Sequence, residues 1–84
     1  MERQSLSELN KRILSLLMVG GAQSAAKAMT VEELGAKLTA PPEAVSTELN
    51  DLIASGYVEL VVDEGQPRAY LTGTGIITAS STYS

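Results

Sequence analysis

The 84-residue chain contains no cysteine, no histidine, no tryptophan and no phenylalanine. Without cysteine there are no disulfides and no thiolate metal sites. Without histidine the chain lacks the commonest metal ligand and the commonest general base. Carboxylate-only binding of Mg²⁺ or Ca²⁺ survives that cut, but the sequence has no acidic loop with calcium-binding spacing. No nucleophile motif stands out either, so neither an enzyme nor a bound cofactor or metal is expected. With the two large apolar aromatics missing, Leu, Ile, Val, Ala and three Tyr must fill the core. Long hydrophobic runs are missing too. The longest, Leu16 to Val19, is far short of the roughly 18 residues of a membrane span. The start, Met1-Glu2-Arg3-Gln4, lacks the basic and apolar stretches of a signal peptide. The expectation is a cytoplasmic protein with no membrane partner. A net charge of −4 favours solubility and weighs against nonspecific binding to nucleic acid or anionic lipid.

What is present reads as one domain over residues 1–84, large enough to bury roughly 60–65% of its extended surface. Ser5-Leu6-Ser7-Glu8 has the form of a capping box, and Leu6, Leu9, Ile13, Leu16 and Leu17 follow at helical spacing. Gly20-Gly21 ends that helix, and a small-residue loop follows. Lys27-Ala28-Met29 suits a short edge strand. Thr30 and Glu33 form a second capping box, with Val31, Leu34 and Leu38 as the buried face behind it. Pro41-Pro42 breaks to a third helix, and Pro42 fits its first turn, where a missing N–H costs nothing. Val45, Leu49, Leu52 and Ile53 face inward before the stop at Ser55-Gly56. Val58, Leu60 and Val62 then alternate along a half-buried strand. Asp63 to Pro67 makes the turn and Ala69 to Thr72 the return strand. The fold class is therefore α+β: a winged helix-turn-helix, with a three-helix core (about 6–19, 31–39 and 42–55) and a two-stranded antiparallel β wing. The ordered core spans about 5–75. Two glycines and several β-branched residues argue against a final helix, so 76–84 is expected to be a frayed tail.

From Val45 to Val58 the order Val-Ser-Thr-Glu-Leu-Asn-Asp-Leu-Ile-Ala-Ser-Gly-Tyr-Val resembles the third helix and first wing strand of MarR-like and ArsR-like winged-helix transcription regulators. The later Arg68, Leu71-Thr72 and Gly75 resemble the wing return of that family. The resemblance covers about two-thirds of the chain. It implies a regulator of double-stranded DNA, with the third helix in the major groove and the wing on the backbone or minor groove. Carried over by position, Ser46, Thr47 and Asn50 face DNA. Their chemistry permits it, since hydroxyls bond bases or phosphates and an Asn amide pairs with the adenine edge. The family commonly has basic residues around the positions of Thr47, Glu48, Asn50 and Asp51. Here two of the four are acidic and none is basic.

That departure extends to the whole reading segment. Residues 30–64 hold eight carboxylates and one lysine, a charge of −7, while the remainder carries +3. Lys and Arg supply most nonspecific DNA affinity. Several cations have local partners at helical spacing: Glu33 with Lys37, and Glu8 with Arg12 or Lys11. Lys27 and Arg68 are left near the wing as phosphate contacts. Arg68 has two open readings, entry into a narrow minor groove or pairing with Asp63 or Glu64 across the hairpin. Glu43 suits the first turn of its helix. Glu48 and Asp51 read as solvated, and would meet repulsion if that helix entered a groove.

Leu14 and Met18 widen the apolar face of the first helix beyond what a three-helix domain requires. They either pack under the tail or wing, or form the interface of a two-fold homodimer. Two functions remain open: a DNA-binding transcription regulator, and a winged-helix protein-interaction module whose acidic face meets a basic protein partner.

Overall fold

A computed structural model describes residues 7–83. The chain runs α1 (Glu8–Val19), a single 3-10 turn (Ala25–Lys27), β1 (Met29–Thr30), α2 (Val31–Leu38), α3 (Pro42–Ala54), β2 (Val58–Asp63), β3 (Gln66–Leu71) and α4 (Gly73–Tyr83). The three strands form one antiparallel sheet in the order β1-β3-β2. This is a winged helix with four helices and a three-stranded sheet.

Local sequence sets most boundaries. Ser7 caps α1, its hydroxyl accepting from Asn10 N at 3.0 Å. This corrects the Ser5–Glu8 box: Glu8 is the first helical residue, and Ser5 and Leu6 lie outside the described residues. At α2 the Thr30–Glu33 box forms in both directions, each bond 3.0 Å. Both α1 and α3 end in Schellman motifs, with Gly21 (φ 75) and Gly56 (φ 84) in the left-handed region. Tyr57 N then reaches back to Leu52 O at 2.9 Å and starts β2.

The short edge strand is Met29–Thr30, pairing with Ala69 and Arg68 of β3, while Lys27 closes the 3-10 turn before it. In the hairpin Val58 faces Leu71 and Leu60 faces Ala69, so 58, 60 and 62 share the core side with 67, 69 and 71. The core joins Ile13, Leu14, Leu17, Leu34, Val45, Leu49, Leu52, Val58, Leu71 and Ala79.

The frayed tail is the main correction, because the chain ends its fold in a helix. Thr72 Oγ1 accepts from Gly75 N at 3.0 Å as an N-cap and donates to Gly56 O at 2.6 Å. A Cβ on Gly75 would lie 1.8 Å from Tyr57 O, so glycine is what lets α4 approach the start of β2. Ala79 is fully buried, Ile76 packs on the core, and α4 lies against α1. Tertiary packing thus overrides a poor intrinsic helix propensity.

The same helix accounts for the wide apolar face of α1. Leu14 is fully buried within a single copy and offers no surface to a partner. Met18 is half-buried against the core and accepts from Gln23 Nε2 at 3.3 Å. Packing within the chain accounts for Leu14.

Candidate nucleic-acid interface

Helix α3 buries Val45, Leu49 and Leu52 at spacings of four and three, and so presents the opposite face outward. Glu43, Ser46, Thr47, Asn50 and Asp51 are exposed on that face. Three neutral polar side chains thus lie between two carboxylates. Thr47 Oγ1 donates to Glu43 O at 2.9 Å, which leaves its oxygen as an acceptor. Among the described residues neither the Ser46 hydroxyl nor the Asn50 amide side chain has a hydrogen-bond partner. A cleft of about 200 Å³ separates the start of α3 from the N-terminal turn of α2 and from the hairpin. Ser46 and Pro42 line one side, Glu32 another, and Gln66 and Pro67 the hairpin side. One ligand lying there would touch α3 and the wing together.

Glu48 does not belong to the outward face, which corrects its reading as a solvated carboxylate. It is half-buried, and its Oε1 accepts from Ser7 Oγ at 3.0 Å and from Asn10 Nδ2. The carboxylate therefore closes the first turn of α1, where a negative charge is favoured by the helix dipole. Asn10 carried the missed signal. It occupies a buried position, 6% exposed, in the stripe with Ile13, Leu14 and Leu17, and a buried amide requires a partner.

The other acids divide similarly. Glu33 is held in its capping box, and its expected pairing with Lys37 is absent. Among the described residues the one ion pair is Arg68 Nε with Asp63 Oδ2, at 3.7 Å and too long for a hydrogen bond. Glu8 therefore pairs with neither Lys11 nor Arg12. Tyr70 OH donates to Glu59 Oε1 at 2.6 Å across the hairpin. That bond, then partial burial and the Glu59 charge, hold the Tyr70 hydroxyl above its ordinary pKa of 10.0. Glu32, Glu43, Asp51 and Glu64 have no such partner among the described residues.

Arg68 lies in the central strand, opposite Thr30 and Val61, on the sheet face away from the core. Its side chain is 31% exposed, and the pairing with Asp63 is the arrangement present. Lys27 is exposed at the β1 edge of the sheet. Ser46, Thr47 and Asn50 are thus brought together on one surface, whereas Arg68 lies on β3 and Lys27 in the 3-10 turn before β1. Among the described residues no group of three or more carboxylates could hold a metal ion, and no helix is long and apolar enough to cross a membrane.

The architecture defines a winged helix, and comparison with solved structures agrees. The chain is similar to TubR from Bacillus megaterium pBM400, with a TM-score of 0.86 and 22% identity over 94% of this chain and 88% of that one. It is similar to MepR, a transcription regulator of the Staphylococcus aureus multidrug efflux pump MepA, with a TM-score of 0.83 and 18% identity. That match covers 94% of this chain and 56% of MepR, so the chain spans little more than half of that protein. The S. aureus MepR–DNA complex matches with a TM-score of 0.80 and 18% identity, over 93% of this chain and 62% of that one. At these identities the likeness establishes the fold. No family model matches the sequence, and no curated protein does.

Proposed function

We propose that this chain is a DNA-binding transcription regulator whose α3 enters the major groove and whose hairpin follows the backbone. The observation that carries this reading is the neutral polar patch of Ser46, Thr47 and Asn50 beside the cleft to the hairpin, with Glu48 drawn away onto α1. Asn50 is suited to an adenine edge, Ser46 to a base or phosphate, and Thr47 to accepting from a base amine. The likeness to a regulator solved on DNA supports the same reading. Arg68 and Lys27 supply phosphate contacts, Arg68 by exchanging Asp63 for a phosphate. Two copies on adjacent half-sites, each cytoplasmic and without a cofactor, raise the affinity that one acidic copy lacks. A binding titration at two salt concentrations tests this. With so few cations engaged, log affinity should fall by only about 0.9 per contact per decade of salt. Arg68→Ala should weaken binding to all sequences alike.

A second reading has its own observation. Glu43 and Asp51 are exposed on either side of the polar patch, and their side chains have no partner among the described residues. They suit a basic protein surface, and in that case the same titration shows no DNA binding at either salt concentration while Asp51→Asn abolishes capture of a protein partner from cell extract.

A further inference from the structure

The two edges of the sheet are unlike. In the order β1-β3-β2, one edge is the two-residue β1 and the other is the six-residue β2. A long free edge pairs readily with another chain unless a proline, a lysine, a bulge or a covering element blunts it. Residues 58–63 (Val-Glu-Leu-Val-Val-Asp) include neither proline nor lysine. Their register against β3 runs unbroken from Val58–Leu71 to Asp63–Gln66, so the strand has no bulge. Among the described residues no strand lies beyond it. Leu60 and Val62 on its core-side face are 42% and 74% exposed.

The ladder fixes which backbone groups are free. Thr72 N donates to Tyr57 O at 3.0 Å, so 57 and 72 form a hydrogen-bonded pair. Antiparallel pairs alternate, so 59–70, 61–68 and 63–66 are hydrogen-bonded as well. The last of these closes the turn at Glu64 and Gly65, both left-handed at φ 53 and 78, as a two-residue hairpin loop requires. The N–H and C=O groups of Val58, Leu60 and Val62 therefore point away from β3, toward the open edge.

We infer that β2 pairs antiparallel with β2 of a second copy, about a two-fold axis at Leu60. Such an axis stands perpendicular to the sheet, so core-side residues meet core-side residues. An axis at Glu59 sets that carboxylate on itself, and one at Val61 sets Glu59 opposite Asp63. An axis at Val62 sets Leu60 opposite Glu64, which the turn takes out of the strand. An axis at Leu60 sets Leu60 on Leu60, Val58 on Val62 and Glu59 on Val61, with no two acids opposed. The first two of these pairings are hydrogen-bonded, each exchanging both bonds between the free groups. Glu59 keeps Tyr70 and Asp63 keeps Arg68, since those partners lie on the other face of the same copy's sheet. This self-fit in one register is what makes a second copy of the chain the occupant. The two sheets then become one, β1-β3-β2-β2-β3-β1, and the symmetry closes at two copies. A strand pair covers less than the roughly 1,600 Å² of a standard interface, so the association is weak. The inference does not depend on DNA being the ligand.

Sedimentation equilibrium of the full chain without DNA, from micromolar to millimolar protein, tests it. The average mass should rise from 8.8 kDa toward twice that value and no further. Leu60→Lys sets two cations on the axis and should stay monomeric, with circular dichroism confirming its fold. Cysteine placement tests the register, since the chain has no cysteine of its own. Across the axis the two Leu60 Cα atoms lie about 5.5 Å apart, within disulfide reach, and the two Val62 Cα atoms about 14 Å apart. Under mild oxidation Leu60→Cys should therefore cross-link at least several-fold faster than Val62→Cys, although Val62 is the more exposed of the two. A wild type that is monomeric at every concentration overturns the inference. So does a mass that climbs past the dimer, a folded Leu60→Lys chain that still associates, or Val62→Cys linking as fast as Leu60→Cys.

Discussion

A carboxylate on a helix that enters a DNA groove is repelled by phosphate unless something turns it aside. For Glu48 that is Asn10, whose amide has no other described partner, together with Ser7. Glu48→Ala strands the buried amide and should cost about 1–3 kcal/mol in urea unfolding. Glu48→Gln retains an acceptor oxygen and should cost less. Asp51→Asn is the change that should strengthen DNA binding, because Asp51 is exposed beside Asn50 and has no ion pair among the described residues. Tyr70 gives a prediction with a definite sign. Its pKa is raised in the folded state, so folding favours the neutral hydroxyl. The stabilisation is complete below the unfolded value near 10.0 and is lost as pH rises through the folded value. In an NMR titration of the Tyr70 ring, Glu59→Ala should move the midpoint down toward 10.0, and an unmoved midpoint would remove the bond to Glu59 as the cause. At this scale the sequence revealed which residues of α3 are exposed, because periodicity alone sets that. It did not reveal where Glu48 points, because Ser7 and Asn10 are about forty positions away and no local pattern links them.

At the scale of elements, helices α1 to α3 and the hairpin were legible because their signals are local. The Thr30–Glu33 box, the proline at the head of α3 and Gly56 at its end each act within a few residues. Helix α4 was misread because what stabilises it is distant: Tyr57 against Gly75, and the buried site of Ala79. Its one local signal was Thr72, an N-cap residue before two glycines. The two glycines therefore separate the explanations. Gly75→Ala should destabilise the fold, since its Cβ meets the Tyr57 carbonyl. Gly73→Ala, with nothing within 4 Å, should be neutral or mildly stabilising. Equal effects in thermal melts would contradict the close approach. Leu49→Ala, which empties a core position on α3, should cost about 2–5 kcal/mol by the same measurement.

Taken whole, the molecule sets a neutral polar patch on α3 among acids and places Lys11, Arg12 and Lys27 away from it, on α1 and at the β1 edge. On the proposed reading, affinity for DNA would depend on specific contacts more than on phosphate neutralisation. On the same proposed reading Ser46, Thr47 and Asn50 read base edges. The most direct test selects duplexes from a random pool with the wild-type chain and titrates the winner, by fluorescence anisotropy, against wild type and Asn50→Ala at two salt concentrations. The account predicts a recoverable preferred sequence, a shallow salt slope, and a loss of about 1–3 kcal/mol on that sequence alone for Asn50→Ala. No sequence enriched above the starting pool, or an Asn50→Ala chain that binds the winner as tightly as wild type, would contradict it.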